Sequence, residues 1–303
     1  MHFHAQPAAC TSNIGTWTQR YGDRRELLKF FRTTATAPEL ARRRGKHVEN
    51  ERLVREEVPI AFSFGGSSYA VMMATPSDLE DFAVGFCLNE GIIRSMGQIE
   101  GIEFVEDKLG IDVQITLEGE LTSALLARRR SMAGPVGCGL CGIESIEQAV
   151  RAVPKIGPSL FSLTHGQIAD ATASLNSSQP LHQSTRAVHG AGFFVPGRGL
   201  LAVREDVGRH NALDKLGGAV VRSGTAPDKG AIVVTSRISV EMVQKAAMLG
   251  APILIAISAP TALAVRTADE AGLTLVALAR SEDFEIFTHA HRVSTAKIPL
   301  KKR

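Results

Sequence analysis

The sequence predicts an α/β protein, with a smaller α+β unit ahead of a C-terminal half built on a parallel sheet. Three observations carry this. First, Ala231-Ile-Val-Val-Thr235, Pro252-Ile-Leu-Ile-Ala-Ile257 and Leu273-Thr-Leu-Val-Ala-Leu278 are continuously apolar runs of strand length. Second, helix-like Ser239 to Leu249 and Thr261 to Ala271 separate them, and strands that are apolar on both sides and alternate with helices form a parallel sheet covered on both faces. Third, the chain upstream reads as strand pairs around one amphipathic helix. With 303 residues and 44% hydrophobic content, the chain can bury about two domain cores. The expected units are residues 1–52, 53–131 and 132–303.

Residues 1 to about 52 are expected to be a poorly ordered extension. Between Arg20 and Arg52 stand ten Arg/Lys and five Asp/Glu, which more than accounts for the net charge of +3. Arg42-Arg-Arg-Gly-Lys46 shows no amphipathic period, although Tyr21 to Arg32 suits a short helix. A solvated tail is preferred here over a nucleic-acid arm. Val58-Pro-Ile-Ala-Phe-Ser-Phe64 and Tyr69-Ala-Val-Met-Met-Ala74 flank Gly65-Gly-Ser-Ser68 and read as a hairpin. Ser77-Asp-Leu-Glu80 has the form of a capping box before a helix carrying Leu79, Phe82, Ala83 and Phe86, which Gly91 closes. Cys87 falls on that apolar stripe and reads as packing. Gly101 to Val105 and Ile111 to Leu117 form another strand pair, followed by a short helix from Leu121 toward Arg130.

Gly134-Pro-Val-Gly-Cys-Gly-Leu-Cys-Gly142 places Cys138 and Cys141 in a glycine-rich C-x-x-C loop, with a helix expected from Ile143 to Val153. This spacing suits a reactive thiolate, a dithiol or half of a zinc site. The sequence has no second C-x-x-C pair to close a structural zinc site. Zinc deaminases pair H-x-E with P-C-x-x-C, but His189-Gly-Ala191 lacks the Glu. Four cysteines, only two of them close together, make no disulfide framework. No run approaches the ~18 apolar residues of a membrane span, so the expected setting is cytoplasmic, away from membranes and nucleic acid.

Further on, Thr164-His-Gly-Gln167 is a second capping box. Val188 to Val195 and Gly199 to Arg204 are strands around Pro196-Gly-Arg-Gly199, followed by a helix from Gly208 to Val221. Within Arg204-Glu-Asp-Val-Gly-Arg-His-Asn-Ala-Leu-Asp-Lys215, the four-residue spacing of Asp206, His210 and Asp214 predicts one helix face on which a carboxylate orients the imidazole. A solvated charged face has the same spacing. His189 lies on a strand, and Arg237, Glu241 and Lys245 have the spacing of an ion-pair ladder. Ligands of such sheets bind at the carboxyl ends of the strands. Ser236-Arg237, Ser258-Ala-Pro260 and Arg280 stand there, beside helices that begin near Ser239 and Thr261, which suits phosphate groups.

Taken together, Cys138-Gly-Leu-Cys141-Gly142, Glu205 to Lys215, Ser239-Val-Glu241 with Lys245, Ala259-Pro260, and Asp78 to Phe86 with Asn89-Glu-Gly-Ile92 resemble the FdhD family of formate dehydrogenase accessory sulfurtransferases. The resemblance spans Val58 to Phe287. It implies a cytidine-deaminase-like three-layer C-terminal domain without deaminase chemistry, usually in a homodimer. It also implies that sulfur from a cysteine desulfurase is carried as a persulfide to the molybdenum of bis(molybdopterin guanine dinucleotide), the molybdenum cofactor taken up by formate dehydrogenase. The cofactor is then a bound substrate rather than a resident group. Cys138 matches the persulfide cysteine, with Cys141 its neighbour, and Leu278-Ala279-Arg280-Ser281-Glu282-Asp283 matches the cofactor-contacting segment. On this expectation Arg237 and Arg280 contact phosphates, Asp206 or Asp214 contacts guanine or ribose, and His189 and His210 line the site. A non-catalytic cofactor chaperone and a structural zinc protein are the alternatives.

Overall fold

A computed structural model describes residues 31–123, 125 and 153–294. Strands β1 (Thr34–Arg43) and β2 (Lys46–Arg55) form an antiparallel ribbon where a poorly ordered extension was expected. The turn explains the difference: Arg44 and Gly45 both take positive φ, of 49° and 80°, a combination that matches the twist of a tight hairpin. An arginine hides that signal in the sequence. Tyr21 to Phe30, most of the expected first helix, lies outside the described residues.

The N-terminal sheet has the order β4-β3-β6-β5. It comprises β3 (Val58–Phe64), β4 (Ser67–Ala74), β5 (Ile99–Glu106) and β6 (Ile111–Leu117), and both expected strand pairs are present. Helix α1 (Leu79–Asn89) covers it through Phe82 and Phe86, which pack on Phe62. The expected capping box at Ser77 does not form: Asp78 is the N-cap, at φ 54°, and makes no side-chain cap. Glu80 instead pairs with Arg222 of the C-terminal half. Cys87 is buried as expected, and burial, reinforced by Asp214 and Glu90, pushes its thiol pKa up. After β6, the described residues 119–123 are helical.

Two-residue strand β7 (Leu163–Thr164) leads into helix α2 (His165–Ser177). Here the capping box is complete: Gln167 N donates to Thr164 Oγ1 at 3.2 Å, and Thr164 N donates to Gln167 Oε1 at 2.8 Å. Helix α3 (Pro180–Thr185), absent from the sequence reading, follows; Leu181 N and His182 N at its start donate to Glu205. The remaining elements are β8 (His189–Val195), β9 (Gly199–Asp206), α4 (Arg209–Arg222), β10 (Ala231–Val234), α5 (Val240–Leu249), β11 (Ile253–Ala256), α6 (Ala262–Ala271), β12 (Thr274–Arg280), β13 (Asp283–Ile286) and β14 (Val293–Ser294), which pairs with β7. The six-stranded sheet has the order β13-β12-β11-β10-β8-β9. Only the β10–β11 and β11–β12 pairings are parallel, so the expected parallel sheet is the centre of a mixed one.

Alternate residues of each strand serve opposite layers. Ile232, Val234, Leu254 and Leu275 pack with α4, α5 and α6, whereas Val233, Ile253, Ile255 and Val276 pack with α2. The C-terminal half is therefore a helix–sheet–helix sandwich.

The two halves meet where α1 crosses α4. A Cβ on Gly85 would sit 1.7 Å from the Asp214 carbonyl oxygen, and one on Gly218 would sit 1.9 Å from that of Asp81. Backbone touches backbone at both points, so neither contact yields by a rotamer change. Gly85→Ala is expected to cost at least about 1–3 kcal/mol, read as a lower urea midpoint.

Candidate functional site

The carboxyl ends of β10, β11 and β12 form one edge bound together by main-chain contacts. Ile238 N donates to Ala259 O and Thr261 N to Ile238 O, tying the loop after β10 to the loop after β11. Leu278 N donates to Ser258 O and ties in the third strand. Thr261 caps α6 through Ala264 N at 3.2 Å.

The expected contact segment Leu278 to Asp283 is not a loop past a strand end. β12 continues through Leu278 (φ 53°) to Arg280, Ser281 turns at φ 55°, and Asp283 begins β13 opposite Arg280. The register shifts between Ala277 and Arg280, and such a bulge re-aims side chains at a sheet edge. Ala279 is buried, while Arg280, Ser281, Glu282 and Asp283 are exposed.

Arg237 is also exposed on this edge, and neither Arg237 nor Arg280 has an ion pair among the described residues. The ion-pair ladder expected from Arg237 through Glu241 to Lys245 does not form. Lys245 turns inward to Asp214 and lies 3.9 Å from Glu90. Two arginines not committed to internal carboxylates can serve an anionic ligand through their planar forks.

His189 and His210 converge on the same edge. His189 opens β8, where Gly190 N donates to Thr235 Oγ1 at 2.9 Å, just beyond β10. His210 sits in the first turn of α4. Burial and then Arg209 and Lys245 depress its pKa to about 4, against the pull of Glu241, with His189 depressing it further. His189 is lowered by burial and then by Arg209. Both imidazoles are therefore neutral near pH 7. Sequence reasoning passed over Arg209 and Glu241 as members of this cluster, although Arg209 immediately precedes His210. Burial raises the Glu241 carboxyl, but hydrogen bonds from the Ser239 hydroxyl and from its own backbone N–H bring it below the usual carboxylate range.

The His210 shift has a stability consequence. An unfolded imidazole takes up its proton near pH 6.5, so between about 6.5 and about 4 the unfolded chain binds more protons than the folded one. Stability is expected to rise with pH across that window and to fall as pH drops through it. Histidine NMR titration checks the cause directly: His210 should remain neutral until about pH 4.

Asp206 and Asp214 take other roles than those expected. Both are fully buried. Asp206 accepts from Lys215 Nζ (2.6 Å) and Thr75 N (3.0 Å) at Oδ2, and from Gly208 N (2.8 Å) and Asn211 Nδ2 (2.9 Å) at Oδ1. Asp214 accepts from Lys245 Nζ at 2.6 and 2.8 Å and from Asn89 Nδ2 at 2.6 Å. Burial pushes the Asp214 pKa upward against Lys245, and lowers that of Lys215 against Asp206. Neither carboxylate has an oxygen turned to solvent for guanine or ribose, and neither orients His210. Thr75 and Asn89 belong to the N-terminal half, so these pairs join the halves. Arg204 and Arg222 extend the junction by gripping Asp81 at 2.6 Å each.

Cys138, Cys141 and the helix expected from Ile143 lie outside the described residues, apart from Val153. Among the described residues no helix is long and apolar enough to cross a membrane.

Comparison with known proteins adds to this geometry. A model of the FdhD/NarQ family matches residues 55–294. A sulfur carrier protein FdhD from Agrobacterium fabrum is 64% identical over 254 residues, covering 84% of this chain and 93% of the relative. One from Brucella abortus is 57% identical, covering 84% and 94%. A crystal structure of a candidate formate dehydrogenase accessory protein from Desulfotalea psychrophila superposes with a TM-score of 0.70 at 25% identity, over 87% of this chain and all of that one. The matched span takes in the two-half junction, the bulged edge and both cysteines of the C-x-x-C loop, and the chain belongs to the FdhD/NarQ family.

Proposed function

We propose that this protein is a sulfur carrier for formate dehydrogenase maturation, acting as a sulfurtransferase through Cys138. The observation that carries the reading is the family match across residues 55–294, which include Cys138 and Cys141, to relatives named as sulfur carriers. The Cys138 thiolate attacks the terminal sulfur of a persulfide on a cysteine desulfurase. A new S–S bond forms on Cys138, the old one breaks, and the desulfurase thiolate leaves. Cys141 then attacks the Cys138 sulfur. The terminal sulfur departs as sulfide with the electron pair of the broken bond, the two cysteines are oxidised to a disulfide, and a cellular dithiol reduces them again. The sulfide enters the molybdenum of bis(molybdopterin guanine dinucleotide), the substrate that receives the cargo. Thiolates act as nucleophiles in each step.

In this reading the substrate's phosphates lie along the edge bearing Arg237 and Arg280, with Leu278 to Asp283 as its rim and neutral His189 and His210 behind. Helix N-termini beside exposed arginines suit such a ligand. The sandwich is read as cytidine-deaminase-like, and the protein as a cytoplasmic homodimer. Mass spectrometry after incubation with a desulfurase and cysteine tests the carrier step. A gain of one sulfur on the peptide holding Cys138 is expected; a chain that gains none under conditions that load the desulfurase would overturn the reading.

A further inference from the structure

The ribbon of β1 and β2 lies, all but its last residue, ahead of the span that the family model matches. Its register sorts the side chains onto two faces, because neighbours along a strand point to opposite sides and directly paired residues share one. One face includes Arg52, whose Nη2 donates to the Thr185 carbonyl of α3 at 3.5 Å, so that face turns toward the C-terminal half. The other carries Pro38 with Glu51, Leu40 with Glu49 and Arg42 with His47. Leu40 is 66% exposed there, and Leu53, farther down the same face, 40%.

A two-stranded ribbon on its own is marginally stable in water, and among the described residues no third strand joins either of its edges. Its outer face is charged in two blocks. The tip holds Arg42 and the turn residue Arg44, and nearer the body stand Glu49 and Glu51, all four exposed. None of the four has an ion pair among the described residues. A polyanion drawn to the tip would meet the two glutamates on the same face, whereas a second ribbon fits both blocks. A two-fold axis that stacks outer face on outer face, with strand directions reversed, lays each basic tip over the acidic middle of the other copy. It also brings the two Leu40 side chains together near the axis. Such self-complementarity is what an isologous contact requires.

We propose that the outer face of the β1–β2 ribbon docks the same face of a second copy of this chain. The proposal rests on the homodimer reading above and assigns it a contact surface. Ten residues at about 3.3 Å each, on two strands roughly 10 Å across with their side chains, offer on the order of 300–400 Å² per copy. A standard interface uses about 800 Å² per partner, so the contact is weak and weakens further with salt.

Sedimentation of the full chain over a concentration series, at low and at high salt, tests this. Wild type is expected to self-associate between about 10 μM and 1 mM. Arg42→Glu/Arg44→Glu places acid over acid and Glu49→Arg/Glu51→Arg places base over base, so each alone should associate at least about tenfold more weakly. An equimolar mixture of the two restores opposite charges at both contacts of a mixed dimer, and its association should return to within about threefold of wild type. A mixture no stronger than either variant alone would overturn the proposal. Either variant associating like wild type would overturn the ribbon contact and leave the homodimer reading standing; a wild type that stays monomeric throughout would overturn both. Should a charge variant fail to fold, Leu40→Ser decides, since unchanged association there removes the contact.

Discussion

Cys138→Ala is expected to gain no sulfur from a loaded desulfurase and to reduce support of formate dehydrogenase to background. Cys141→Ala is expected to separate the two half-reactions. It keeps the attacking thiolate of Cys138, so it still accepts sulfur, but it lacks the thiol that expels sulfide, so persulfide accumulates and delivery fails. Intact mass and formate dehydrogenase activity, measured on the same preparations, check both. Full sulfur loading of Cys138→Ala would sink the assignment. A cofactor chaperone whose cysteines only touch metal predicts no persulfide on either variant, and a structural zinc site predicts stoichiometric zinc lost from both. Arg237→Ala and Arg280→Ala differ in kind, because they should load sulfur normally and lose affinity for the nucleotide-tailed substrate.

Lys215→Met is expected to be the most destabilising single change in the junction, at about 3–5 kcal/mol. Lys215 and Asp206 are both fully buried with 2.6 Å between their charged atoms. Removing the ammonium leaves a fully buried carboxylate without its counter-charge, and the Thr75 carbonyl, which accepts from Nζ at 2.9 Å, loses its donor as well. Adding Asp206→Asn to Lys215→Met should recover part of the loss, because an amide is cheaper to bury than an unpaired charge and its oxygen still accepts a donor. Denaturant titration of the single and double variants reads this. Equal stability of wild type and Lys215→Met would remove the pair from any account of the fold.

Much of the architecture was legible because local signals and tertiary contacts agreed. The central strands and their helices follow from apolar runs and spacing, and Thr164 with Gln167 caps its helix as the four-residue motif states. Ser77 with Glu80 has the same form and fails, since Glu80 is drawn to Arg222, 142 residues away. That competition is invisible to a local motif. The same physics governs Asp206 and Asp214. Asp206 ends β9 while His210 and Asp214 lie in α4, so the single helix face expected from their spacing does not form; the carboxylates' partners Lys245, Asn89 and Thr75 come from other elements, and burial turns candidate ligand groups into internal ties. The bulge at Leu278 and the hairpin turn at Arg44 escaped because non-glycine residues hold positive φ there, a choice made by surrounding contacts rather than by residue type.

The glycine crossing of α1 and α4 also sets a schedule. The N-terminal sheet is complete in sequence at Leu117, but the helix that seals α1 ends at Arg222. At a synthesis rate of about 5–20 residues per second, the roughly 100 intervening residues take on the order of 5–20 s to emerge. Throughout that interval the N-terminal half lacks both the helix that packs against Gly85 and the Arg204 and Arg222 side chains that pair with Asp81. The protein's vulnerability to misfolding is thus concentrated before residue 222 leaves the ribosome, and slower translation across this stretch would prolong the demand for chaperones.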